Sequence, residues 1–336
     1  MLFHTTILRG GFVGVDMFFV LSGFLITSIL LQEHRNGGIS IRRFYARRAL
    51  RLMPALLAFL AALAALLLLD PRLHILRDDT LVFIPFVLLY VSNWVFTFMP
   101  ASTPFPLGLV GMTWSLAIEE QYYLAWPFLL RQMIRRWSDR TVATVLLCAA
   151  AAEVMLRFFA QLSGETAWRP MTMTFTDSDG LLIGSALAML YAAGAFRLVP
   201  SAVRAIGAAV LAMTLFLAPG NGPWNGIGIL IGELATAALI CSALSSKGHR
   251  VLESRPLRWI GERSYAMYLW HLTVIHVLAM YITAGRFRMI YIALLTFVIT
   301  FVLADLSYRF VEQPFLRRKA RLNLPEREPA IAVVAT

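Results

Sequence analysis

Apolar positions in this chain come in long unbroken runs, not in the alternating or three-and-four-spaced patterns of half-buried soluble elements. A run of about 20 apolar residues crosses a bilayer as a helix. Candidate runs occupy 13–31, 52–69, 81–98, 112–130, 142–160, 180–197, 202–218, 226–245, 264–284 and 289–311. They are nearly contiguous. The pattern predicts an all-α, polytopic membrane helical bundle over 1–315 and a basic, polar cytoplasmic tail over 316–336.

Composition agrees with that pattern. Hydrophobic types make up 59% of the 336 residues and charged types 15%, whereas a soluble domain carries roughly 25% charged residues. So few charges exclude a soluble globular enzyme and a disordered chain. The net charge of +11 is carried mainly by arginine, since Lys247 and Lys319 are the only lysines. In a soluble protein this would point to nucleic acid. Here the arginines crowd between apolar runs, the mark of cytoplasmic loops, and no nucleic-acid partner is expected. Cys148 and Cys241 sit inside apolar runs, away from metal-ligand spacings, so neither a disulfide nor a metal site is expected.

Loop charge fixes the number of crossings. Segment 33–51 holds Arg35, Arg42, Arg43, Arg47, Arg48 and Arg51 against Glu33. Segment 131–141 holds Arg131, Arg135, Arg136 and Arg140 against Asp139. Both should be cytoplasmic, yet three apolar runs lie between them, and an odd number of crossings cannot return to the same side. The run 81–98, with Pro85, Ser92 and Asn93, is taken as re-entrant, because irregular backbone at membrane depth is tolerated when protein surrounds it. The chain then has nine crossings and one re-entrant segment, with residues 1–12 outside.

Four constellations carry polar chemistry into these runs. His4 and Asp16 flank Arg9-Gly10-Gly11, a turn that brings an imidazole to a carboxylate; alternatively Asp16 caps the helix that begins beside it. Glu119 and Glu120 lie near the middle of a run, about 100° apart around a helix, so either they have separate partners or one of them is protonated. Either they line a functional cavity or they pair with arginines on other helices. Arg43, Arg47 and Arg51 recur every four residues, with Arg48 beside them, as a cationic stripe. Its guanidinium forks suit phosphate oxygens, and it equally serves as a topology and headgroup signal. Tyr268 and His271 share a helix face, as a polar pair or as part of an aromatic belt.

Five segments join these residues in order: "GFVGVDMFFVLSGFLITSIL" (11–30), "RRFYARRALRLMPAL" (42–56), "WSLAIEEQYYLAWP" (114–127), "SYAMYLWHL" (264–272) and "VEQPF" (311–315). Together they resemble the acyltransferase 3 family, integral-membrane O-acyltransferases that acetylate bacterial glycans and some small molecules. The resemblance covers nearly the whole chain. It implies a multi-pass protein of the bacterial inner membrane with about ten spanning helices. Acetyl-coenzyme A or a related acyl-coenzyme A is the implied donor, and no cofactor is permanently bound. The implied acceptor is a hydroxyl of a saccharide, a surface glycan or a secondary metabolite.

Leu2-Phe3-His4 matches the essential histidine of the family's first helix. That helix bears an arginine about three turns earlier, before Met1, and would raise nine crossings to ten. "FTDSDGLLIG" (175–184) departs from the family: relatives place an arginine two residues before the Asp, where Asp177 stands. With His4 essential by resemblance, the constellations above give His4, Asp16, Glu119 and Glu120 as the expected catalytic group, with His4 the general base. Arg43, Arg47, Arg48 and Arg51 would hold the coenzyme A phosphates. Ser22, Trp114, Ser115, Tyr123, Tyr268 and His271 would line the substrate pocket. Two other readings stay open at this point, a transporter or flippase and an inactive fragment lacking the first helix.

Overall fold

Long apolar runs become helices because a chain in hydrocarbon has to satisfy its own backbone hydrogen bonds. The computed structural model describes residues 8–99, 108–164, 169–195, 200–218, 223–245, 252–285 and 287–321. Among them there are helices and no strands. In chain order the helices are α1 (Gly14–Arg35), α2 (Ile41–Leu69), α3 (His74–Leu88), α4 (Ser92–Phe98), α5 (Thr113–Arg136), α6 (Asp139–Leu162) and α7 (Thr174–Asp177). They continue with α8 (Asp179–Ala192), α9 (Ser201–Leu217), α10 (Pro223–Ser245), α11 (Arg255–Tyr281), α12 (Arg288–Leu306) and α13 (Gln313–Arg321). The result is a polytopic helical membrane protein. Each of the nine runs read as crossings has a helix over most of its described residues, and five of the described helical spans are long and apolar enough to cross a membrane. The 14-residue α8 rises only about 21 Å.

Local sequence explains the boundaries. α1 ends where Gly37 and Gly38 take φ of +114° and +117°, a region that favours glycine. Ser138 caps α6 by accepting from the Thr141 amide at 3.2 Å. α2 runs for 29 residues, so the cationic stripe and the apolar run after it form one helix. The run 81–98 is not one helix: it breaks at 89–91, where Tyr90 has φ of +54°.

The described residues fall into two compact units. One draws on 42–114 and 252–321. Within it the buried segment 108–113 is irregular, and hydroxyl groups satisfy its backbone. Thr80 accepts from the Leu109 amide at 3.1 Å, Thr273 donates to the Leu109 carbonyl at 3.0 Å, and Ser92 donates to the Thr113 carbonyl at 3.1 Å. Irregular backbone survives at membrane depth under just this condition.

The other unit draws on 8–41 and 115–245. Its centre is the packing of α1 and α6 on α8, with α10 against α1, α6, α8 and α9. Two glycines set the α1–α8 approach. A Cβ on Gly23 would lie 2.1 Å from the Leu181 carbonyl oxygen, and one on Gly184 would lie 2.0 Å from that of Val20. Gly184→Val should therefore force the two backbones apart and cost more than about 3 kcal/mol. The expected result is loss of the monodisperse peak in detergent size-exclusion chromatography. Gly14→Ala, with nothing within 4 Å, should elute as wild type. Equal yield for both variants would show that this approach does not determine the fold.

Candidate functional site

The α1–α5–α8 region gathers side chains from distant parts of the sequence. Glu119 and Tyr123 stand one helical turn apart on α5, and the Tyr123 hydroxyl donates to Glu119 Oε1 at 2.7 Å. Ser22, on α1, donates to the same oxygen and touches the Tyr123 hydroxyl. Glu119 and Tyr123 are buried, and Ser22 is half-buried. A carboxylate at membrane depth is costly unless polar partners surround it, and here two hydroxyls converge on one of its oxygens.

A second network holds this group in register. The Trp126 indole donates to Thr27 at 2.8 Å, Thr27 donates to Ser185 at 2.8 Å, and Ser185 donates to the Gly23 carbonyl at 3.2 Å. The Tyr122 hydroxyl meets Ser185 at 2.7 Å. The chain of donors ends on the residue after Ser22. Ser185 therefore fixes the stretch of α1 that presents Ser22 to Glu119. Sequence reasoning missed Thr27, Tyr122, Trp126 and Ser185. Tyr122 and Trp126 lie inside "WSLAIEEQYYLAWP", which was a usable signal; Ser185 gave none.

A third group in this unit is ionic. Arg157 on α6 forks onto Asp179 with contacts of 2.8 and 2.6 Å, and its Nη1 also reaches Asp177 at 3.3 Å and the Thr176 carbonyl at 2.8 Å. All three charged side chains are fully buried. Glu233 on α10 is buried beside Asp179, and its Oε1 would lie 2.7 Å from a Cβ on Gly180.

Each expected site residue now has a place. His4 lies outside the described residues, so the His4–Asp16 pairing does too. Asp16 is buried in the first turn of α1, within electrostatic reach of Arg157 and Asp179. It stands six residues before Ser22, about 9 Å along the axis and on another face. Ser22, Glu119 and Tyr123 come together. Glu120 is half-buried on the adjoining face of α5, and Ser115 is buried one turn before Glu119.

The remaining expected residues belong to the other unit. Trp114 is half-buried at the start of α5. On α2, Arg43 and Arg51 are exposed and Arg47 and Arg48 half-buried, while the neighbouring Phe44 and Leu52 are buried. On α11 the Tyr268 hydroxyl donates to the Met112 carbonyl. The His271 Nδ1 lies 2.6 Å from the Tyr268 carbonyl. A carbonyl only accepts, so Nδ1 carries the proton and Nε2 is the basic nitrogen. Among the described residues no cluster of three or more His, Cys, Asp or Glu has the geometry to hold a metal ion.

The described residues thus form a multi-pass helical protein with a buried carboxylate–hydroxyl centre in one unit and a cationic helix stripe in the other. Comparison with known proteins gives the family. The family described as Acyltransferase domain matches residues 2–309, and the chain belongs to it. The chain is 35% identical over 330 positions to "Putative peptidoglycan O-acetyltransferase YrhL" of Bacillus subtilis, covering 91% of this chain and 50% of that protein. It is 32% identical over 345 positions to "O-acetyltransferase OatA" of Staphylococcus aureus, covering 97% and 56%. "Peptidoglycan O-acetyltransferase OatA" of Listeria monocytogenes is 31% identical over 334 positions, covering 94% and 53%. The chain thus spans about half the length of these relatives. No solved structure matches it.

Proposed function

We propose that this chain is the membrane acyltransferase part of a bacterial inner-membrane O-acetyltransferase. It moves an acetyl group from acetyl-coenzyme A to a hydroxyl of a saccharide, with a cell-wall glycan the favoured acceptor. The observation that carries this reading is the buried Glu119 carboxylate with the Ser22 and Tyr123 hydroxyls on one oxygen. The names of the relatives, peptidoglycan O-acetyltransferases among them, support the acceptor class.

In the proposed reaction the acceptor oxygen attacks the thioester carbonyl while a base takes its proton. The C–S bond then breaks, and coenzyme A leaves as a thiolate that recovers the proton. His4 is the base implied by the family resemblance. Glu119, held by its two hydroxyl donors, orients that base, with Asp16 and Glu120 as further acids of the site. Tyr123 and Ser115, in the unit that holds Glu119, serve the substrate pocket. Arg43, Arg47, Arg48 and Arg51 hold the coenzyme A phosphates through guanidinium forks, which match phosphate geometry better than lysine does.

The test uses membrane vesicles supplied with acetyl-labelled acetyl-coenzyme A and peptidoglycan acceptors. Ester-linked label on the glycan is expected. Arg47→Gln with Arg51→Gln should raise the donor KM by roughly 10- to 100-fold, the loss of about one charge-assisted hydrogen bond, at unchanged protein yield. An unchanged donor KM would reduce the stripe to a topology signal. No label on any saccharide would overturn acetyl transfer.

A further inference from the structure

The C-terminal end of α5 carries a feature that acyl transfer does not use. An open surface recess of about 400 Å³ is lined by Phe128, Arg131, Gln132, Arg135 and Arg136, all on α5. Among the described residues none of these three arginines pairs with a carboxylate. Arg131 and Arg135, one turn apart with like charge, repel each other unless an anion lies between them. Loop topology and the helix dipole account for cations at this helix end. They do not account for a recess that collects guanidiniums on one side of an apolar stripe.

That stripe points to the ligand. Leu124, Phe128, Arg131 and Arg135 follow at intervals of four, three and four, so they form one face of α5, within about 60°. Leu124 is 65% exposed and Phe128 50%. Along this face exposed apolar side chains give way over about 10 Å to arginines that pair with no carboxylate among the described residues. Trp137, half exposed just past the helix end, has the position of an interfacial aromatic. An acyl chain laid on the apolar part leaves its phosphate among the guanidinium forks, which suit phosphate oxygens bidentately. A soluble phosphate has no use for the apolar part.

We propose that this face of α5 is a binding site for an anionic phospholipid, its phosphate held by Arg131, Arg135 and Arg136 and its acyl chain lying along Phe128 and Leu124. The site is independent of the transfer chemistry, and its test does not depend on activity. The full chain is placed in nanodiscs of phosphatidylcholine with a minority of phosphatidylglycerol, and retained lipid is counted by native mass spectrometry.

Wild type should enrich phosphatidylglycerol. Arg131→Gln, Arg135→Gln and Arg136→Gln together should lower that enrichment at least about tenfold. Because these arginines also direct insertion, the corresponding triple Lys variant keeps the charge and removes the forks; it should lose enrichment several-fold. Phe128→Ser, which leaves every charge in place, should weaken lipid retention at an unchanged melting temperature. Equal enrichment by wild type and the Gln triple, or by wild type and the Lys triple, overturns the site. Displacement of the lipid by inorganic phosphate, together with no effect of Phe128→Ser, assigns the recess to soluble phosphates and overturns the lipid.

Discussion

Glu119→Gln is expected to lower acetyl transfer by a factor of about 10²–10⁴ while leaving the protein inserted and folded. The amide has the shape of the carboxyl, and its oxygen still accepts from Ser22 and Tyr123, so α1 and α5 keep their contact. What disappears is the negative charge that would orient a base and stabilise the cation formed on it. Tyr123→Phe removes one of the two donors and keeps the charge, so its loss should be smaller, roughly tenfold. The assay is label transfer in vesicles, normalised to protein that elutes as a single peak. A Glu119→Gln enzyme working within twofold of wild type would exclude Glu119 from the chemistry and leave it a structural acid.

The ordering of these effects reflects which parts of the site can be read from residues alone. Glu119 stands out because a carboxylate in an apolar run is costly wherever it goes. Ser22 and Tyr123 followed from the motifs around them. Ser185 and Thr27 are ordinary small hydroxyls, and their meeting depends on the α1–α8 register that Gly23 and Gly184 permit. Nothing in a linear sequence states that register.

The run 81–98 is a mixed case. Ser92 and Asn93 open α4 just after the break, and both are fully buried, with Ser92 bonded to the Thr113 carbonyl. Pro85 lies inside α3, and the break falls four residues later, at 89–91. Pro85 lacks the amide that would bond the Leu81 carbonyl, so it weakens the last turns of α3 just before that break.

Arg157 is the most instructive omission, because its position within the run 142–160 was visible and the same cost argument applied. It supplies from α6 a guanidinium to the turn in which Asp177 and Asp179 stand. Asp16, read as a partner for His4, lies within the field of this same arginine.

Arg157→Leu should therefore be among the most destabilising single changes in the unit built from 8–41 and 115–245, costing about 3–5 kcal/mol. The guanidinium forks onto Asp179, reaches Asp177 and carries a carbonyl bond, all with no exposure to solvent. Removing it leaves those carboxylates in a low-dielectric interior beside Glu233, whose two oxygens have no hydrogen-bond donor among the described residues. Desolvation decides the sign: the cost comes from the uncompensated acids, not from the lost attraction alone. The double variant Arg157→Leu with Asp179→Leu tests that reasoning. It deletes both halves of the fork and substitutes apolar volume, so it should recover part of the stability lost in the single variant. Recovery is partial because Asp177 and Glu233 stay behind. Thermal unfolding in detergent, followed by intrinsic tryptophan fluorescence, gives the comparison. A double variant no more stable than Arg157→Leu would mean that the arginine acts through its packing and its bond to Thr176, and that charge balance does not hold these helices together.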